Sequence, residues 1–147
     1  MPTTAFLEAR KQGEVAQRYV KGMFKSWGLK FAATPRGYHP GYDGIIEGKF
    51  YGQYIRSKIE IKYDLLASKT GNIYLDIQSL KKSQATILII CLNDPINTVL
   101  MLPLQQALDY AVRHANINGG EFWERSACIN KDQFMKDLKP KLLTTKR

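Results

Sequence analysis

The chain is poor in the residues that staple small secreted folds or build soft-metal sites. Two cysteines, Cys91 and Cys128, and two histidines in 147 residues form no CxxC pair and no Cys/His cluster. That excludes a structural zinc site of ordinary spacing and gives no sign of an oxidising compartment. Cys91 lies in the apolar run 85–92 and reads as a small core hydrophobe. This run is the longest of its kind and far too short to cross a bilayer. The N-terminus has no apolar stretch of signal-peptide length, so a soluble, intracellular protein of cytoplasm or nucleoid, without a membrane partner, is expected. No Walker or GxGxxG loop, Ser-His-Asp or Cys-His arrangement, internal repeat, low-complexity tract or linker is readable. Acidic residues are also scarce: 13 Asp+Glu stand against 22 Lys+Arg, for a net charge of +9 and a pI near 9.6. Such a balance favours a polyanionic partner, most often nucleic acid.

The length suits a single domain, 1–147, able to bury a substantial core. Residues 4–27 read as a helix, with Val15, Tyr19, Met23 and Trp27 at four-residue steps, Val20 and Phe24 beside them, and Gly28 as the stop. Leu29 to Ala33 suits a short strand. Pro35, Gly37, Pro40 and Gly41 form a loop that delivers Asp43. Tyr42–Ile46 and Ser57–Tyr63 are expected to pair as antiparallel strands around a turn at 48–52. Residues 64–71 read as a loop, 72–78 as an alternating strand and 79–84 as a polar connector. A buried strand (85–92), a further strand (98–102), a helix starting at Pro103, a loop (116–120) and a last helix (131–138) complete the order. The basic tail 139–147 is expected to fray. The fold class is α/β or α+β, a mixed central sheet flanked by helices.

The most informative stretch is Ile59-Glu60-Ile61-Lys62. Successive strand side chains point to opposite faces, so Ile59 and Ile61 look into a core while Lys58, Glu60 and Lys62 share the other face. Asp43 opens the partner strand. Two carboxylates and a lysine at adjacent strand ends suit metal-assisted phosphodiester cleavage: the carboxylates hold a hard cation, and the lysine stabilises charge or places a water. The competing reading is an ion pair on a solvated strand, which would contribute little.

This set resembles the PD-(D/E)XK nuclease superfamily, which includes restriction enzymes, Holliday junction resolvases, phage nucleases and some homing endonucleases. The resemblance covers roughly residues 10–92. Helical Glu14 matches the first motif, Asp43 the second, and Glu60 with Lys62 the ExK. Thr70-Gly71-Asn72-Ile73-Tyr74-Leu75-Asp76-Ile77, followed by Ser79-Leu80-Lys81-Lys82-Ser83, looks like the family's continuation. The residue before the Asp, usually proline, is Tyr42. The resemblance implies a restriction-endonuclease-like core. It also implies Mg²⁺, or Mn²⁺ in its place, on Asp43, Glu60 and the Ile61 carbonyl, with Glu14 as a ligand to a second ion or as an exposed helix carboxylate.

Gln78, on the same strand face as Tyr74 and Asp76, is a candidate to order the lysine or a water, or plain strand polarity. Asp76 is a peripheral carboxylate or an ion-pair partner. Lys81, Lys82 and Ser83 lie where a helix N-terminus would attract phosphate, or form a solvated connector. His39 and His114 read as loop and surface residues. Tyr38, Tyr42, Tyr51 and Tyr54 interleave with Arg36, Lys49, Arg56 and Lys58, a pattern suited to DNA contact and also to an ordinary hairpin. The function expected is a Mg²⁺-dependent endodeoxyribonuclease making double-strand cuts, of phage, restriction or homing type. As cutting two strands takes two sites, a homodimer or larger homo-oligomer is expected. A Holliday junction resolvase and a non-catalytic DNA-binding module of the same fold are the alternatives.

Overall fold

A computed structural model describes residues 4–34, 41–118 and 126–144. Helix α1 (Thr4–Ser26) is followed by strands β1 (Lys30–Ala33), β2 (Gly44–Phe50) and β3 (Gln53–Asp64). The short helices α2 (Ala67–Thr70) and α3 (Ile77–Lys82) flank β4 (Asn72–Asp76). Strands β5 (Ile87–Leu92) and β6 (Thr98–Pro103), helix α4 (Leu104–Asn118), β7 (Ser126–Asn130), α5 (Lys131–Leu138) and β8 (Lys141–Leu142) complete the order. Six strands form a mixed sheet in the order β1-β2-β3-β5-β6-β8. Only β3–β5 is parallel within it, while the other neighbours run antiparallel. Strands β4 and β7 make a separate antiparallel ribbon. The class is the expected one, α+β with a mixed central sheet flanked by helices.

Each sheet face has its own core. On one, Ala16, Val20, Met23 and Phe24 of α1 meet Ile46, Ile59, Ile89, Cys91 and Val99. On the other, Leu88, Ile90, Leu100 and Leu102 pack under Ala107, Tyr110 and Ala111 of α4, together with Ile73, Leu75, Ala127, Ile129 and Phe134. The buried stripe of α1 differs in phase from the expected one: Val15 and Tyr19 are 46% and 39% exposed. The reason is geometric. A strict four-residue step drifts by about 40° per turn from the 3.6-residue period, whereas positions 16, 20, 23, 24 and 27 stay on one side.

The β2–β3 hairpin forms as expected, with Phe50 opposite Gln53. Its two-residue turn has Tyr51 and Gly52 at φ 51 and φ 80, the sign that a twisted hairpin demands of both positions. At Gly44 a methyl group would sit 2.7 Å from the Phe31 ring and 2.9 Å from the Ala32 carbonyl oxygen. Only glycine lets β1 close on β2 there.

Five points differ from the expectation. The strand expected over 72–78 ends at Asp76, and 77–82 is helix. The loop expected over 64–71 contains α2, and the helix after Pro103 runs to Asn118 instead of ending before 116. Strand β7 was not foreseen, since residues 126–130 are short and gain their shape from pairing with β4. The segment expected to fray is docked through residue 144: β8 pairs with β6, Leu143 is buried, and its N–H donates to the Val99 carbonyl at 2.9 Å.

Candidate active site

The alternation of β3 is the source of the site. Ile59 is fully buried towards α1, and Glu60 and Lys62 lie on the opposite face, in register with Leu88 and Ile90 of β5. Asp43 immediately precedes β2 and is pinned by backbone and side chain. Its N–H donates to the Ile59 carbonyl at 2.9 Å, its carbonyl accepts from Thr34 N–H at 3.0 Å, and its Oδ2 accepts from Ile61 N–H at 2.6 Å. The carboxylate therefore stands in for a strand partner where β2 has not yet begun, next to Glu60. Burial, then the nearness of the Asp43 carboxylate and its negative charge, push the Glu60 carboxyl up to about 8 from an ordinary 4.5, against the opposing pull of Lys62 and the Ser83 hydroxyl. A carboxyl group held beside a second carboxylate in a half-dry setting keeps its proton to higher pH.

The second wall of the site is α3. The Asp76 carboxylate accepts from Ser79 N–H at 3.2 Å and caps the helix, which ends β4 and turns the chain over β3. Ser79 Oγ then accepts a 2.5 Å hydrogen bond from Lys62 Nζ. Ser83 donates to the Gly41 carbonyl at 3.2 Å, and Gln84 N–H reaches the same oxygen at 2.7 Å. That ties the end of α3 to the segment leading into Asp43. Between the walls lies an open cleft of about 390 Å³ lined by Gly41, Glu60, Asp76, Gln78, Ser79, Lys82 and Ser83.

The sequence-derived candidates fall into distinct groups. Asp43 is a neighbour of Glu60, and Lys62 lies two residues beyond Glu60 on the same face of β3; of the three, Glu60 lines the cleft. Gln78 reaches the cleft, but from the first turn of α3 and not from a strand face. Lys81, Lys82 and Ser83 lie at the C-terminal end of α3, so the helix dipole there opposes an anion instead of attracting it. Lys82 and Ser83 line the cleft and Lys81 does not. Glu14 is half-buried on α1, which covers the face opposite Glu60, and it is not among the cleft-lining residues. Lys58 lies over the Tyr42 ring, 4.9 Å from its centroid, beside Asp43. Arg56 Nε is 3.5 Å from Glu47, which also accepts from Tyr54 Oη at 2.5 Å, so part of its charge is answered within the hairpin. Lys49 is exposed further out on β2. Arg36 and His39 lie outside the described residues. Ser79 as the lysine's partner was missed. The pattern Asp76-Ile77-Gln78-Ser79-Leu80 held the signal: a capping aspartate before apolar residues spaced three apart.

No family model and no curated protein matches this sequence. Among solved structures the chain is similar to a bacterial homing endonuclease, I-Ssp6803I, with a TM-score of 0.51 and 16% identity over 69% of this chain and 72% of that one. The likeness is one of fold: this chain has an endonuclease-like architecture, a mixed central sheet flanked by helices.

Proposed function

We propose that this chain is a Mg²⁺-dependent endodeoxyribonuclease of the PD-(D/E)XK type that cuts double-stranded DNA. The observation that carries the reading is the pairing of Asp43 with Glu60, which lines the cleft, with Lys62 two residues further along the same face of β3. Crowded carboxylates are relieved by a divalent cation, and two carboxylates with the Ile61 carbonyl are the hard oxygen donors that suit Mg²⁺ or Mn²⁺. Among the described residues no cluster of three or more His, Cys, Asp or Glu side chains forms. The protein's share would thus be small, with water and substrate phosphate completing the shell, as Mg²⁺ prefers.

Bound there, the ion would lower the pKa of a coordinated water and stabilise negative charge building on the scissile phosphate. Lys62 supplies a fixed positive charge and a donor to the phosphate or to the attacking water. Asp43 is held by the Ile61 N–H, so its second oxygen is aimed without rearrangement. Lys82, at the cleft wall, and Lys58, beside Tyr42, offer phosphate contacts that position DNA without reading its sequence. The fold likeness to a homing endonuclease is in keeping with a homing-type enzyme, and paired cuts would come from two copies of the chain.

The test is cleavage of supercoiled plasmid and of a synthetic four-way junction in Mg²⁺ and in EDTA, with wild type beside Glu60→Ala. Expected is Mg²⁺-dependent linearisation that the variant loses by at least about 10³-fold. Cutting of the junction with duplex left intact would make the chain a resolvase. Binding without cutting under Mg²⁺ and Mn²⁺ would leave a DNA-binding module.

A further inference from the structure

Lys62 is half-buried, and a lysine carries four side-chain torsions, so an ammonium useful at a phosphate must be held in place by something other than its own stem. The structure supplies the holder from the helix opposite. Glu60 and Lys62 are two strand residues apart, about 6.6 Å. Ser79 and Ser83 are four residues apart along α3 and its C-cap, about 6 Å in helical rise. The two spacings match. Ser79 meets Lys62 at 2.5 Å, and Ser83 lines the cleft together with Glu60. Ser79 is itself fixed, since its N–H is bound by the Asp76 cap at 3.2 Å. Gln78, the neighbour with the longer polar side chain, lines the same cleft, yet the hydroxyl next to it makes the bond.

We propose that Ser79 is the positioning residue for Lys62, with the Asp76 cap setting the phase of α3 so that its serines stand opposite the charged residues of β3. This deepens the nuclease reading and rests on it for its kinetic consequences, but not for its geometry. Ser79 does not touch the reacting atoms: it accepts from the ammonium and so fixes where the remaining N–H bonds of Lys62 point.

Two measurements test this. The first is independent of catalysis: ¹⁵N NMR of the lysine ammonium groups in the intact metal-free protein, for wild type, Ser79→Ala, Ser79→Thr and Gln78→Ala. Expected is an ordered Lys62 Nζ in wild type, Ser79→Thr and Gln78→Ala, and a disordered one in Ser79→Ala. Order that survives Ser79→Ala, or is lost in Gln78→Ala, would overturn the assignment, and would do so even if the chain cuts no DNA. The second is kinetic. Ser79→Ala should lower kcat by about 10- to 100-fold, as misplacement of a reacting group does, with KM for duplex DNA changed less than about twofold. Ser79→Thr should restore the rate. In a Lys62→Ala background, Ser79→Ala should cost nothing further, because the interaction it removes is already gone. Full additivity in that cycle would assign Ser79 a purely structural role and overturn the proposal. Absence of cutting by wild type, with Lys62 still ordered through Ser79, would sink the nuclease reading and leave the positioning contact standing.

Discussion

Glu60 combines a strand position, partial burial and a carboxylate neighbour, and each of these disfavours its ionised form. Its folded value of about 8 lies above the ordinary 4.5. Between the two, the folded chain keeps a proton that the unfolded chain has released, so stability falls as pH rises through this window. The contribution is complete below the lower value and gone above the upper one. The melting temperature of metal-free wild type should therefore drop relative to Glu60→Gln between about pH 5 and about pH 9. The same proton competes with a cation, so Mn²⁺ affinity, followed by calorimetry, should climb with pH until about 8 and release protons as it binds. Asn93 is the other residue that rewards attention at this scale. It is 5% exposed with φ 75, its Oδ1 accepts from Ser68 N–H at 2.7 Å, its Nδ2 donates to Asn97 Oδ1 at 2.6 Å, and its carbonyl accepts from Tyr63 Oη. Asn93→Ala should cost about 2–4 kcal/mol in urea unfolding and Asn93→Gly less, because glycine accepts the left-handed backbone while both lose the side-chain bonds.

Among the elements, the β2–β3 hairpin was legible because β-rich segments flank a glycine-bounded turn and Ile59 and Ile61 alternate with Glu60 and Lys62. Those local features are the ones that matter to the site, so Asp43, Glu60 and Lys62 could be named together from the sequence. Helix α3 was not legible in the same way. Ile73, Leu75 and Ile77 alternate cleanly, and Ile77 is buried whether the chain continues as strand or turns into helix. The choice falls to the Asp76 side chain, which binds Ser79 N–H instead of leaving it to a ladder. Strand β7 owes its form to β4 and β8 owes its form to β6, and neither partner is near in sequence. The tail illustrates this most clearly. Leu143 is 6% exposed, and Thr144 carbonyl accepts from Trp27 Nε1 at 2.7 Å. Lys141 Nζ lies 4.2 Å from the centroid of the Tyr51 ring. A basic run that looks solvated thereby ties α1 to the hairpin tip. Leu143→Ala should lower stability by about 2 kcal/mol, read from thermal or urea melts, without changing the rate of DNA cutting at temperatures where the fold holds.

At the scale of the molecule, the net charge of +9 and the exposed lysines predict binding to duplex DNA that weakens steeply with salt, with a log–log slope of about −0.9 for each phosphate contact. Lys82→Ala should reduce that slope by about one contact in a fluorescence titration, uniformly across sequences. Lys81→Ala, outside the cleft, should leave the cutting rate unchanged. Strand β3 is the seam of the whole sheet. On one side it meets β2 after a two-residue turn, and on the other it meets β5 only after the chain has passed through α2, β4 and α3. Pairing across a short turn closes early, and pairing across a long crossover closes late. During synthesis, then, Asp43 and Glu60 can meet in the nascent hairpin well before Ile87–Leu92 has been made to bury one and before Ser79 is present to hold Lys62. The proposed site is therefore complete only once the parallel strand docks. In pulse-labelled refolding, hairpin amides should gain protection before any phosphodiesterase activity returns.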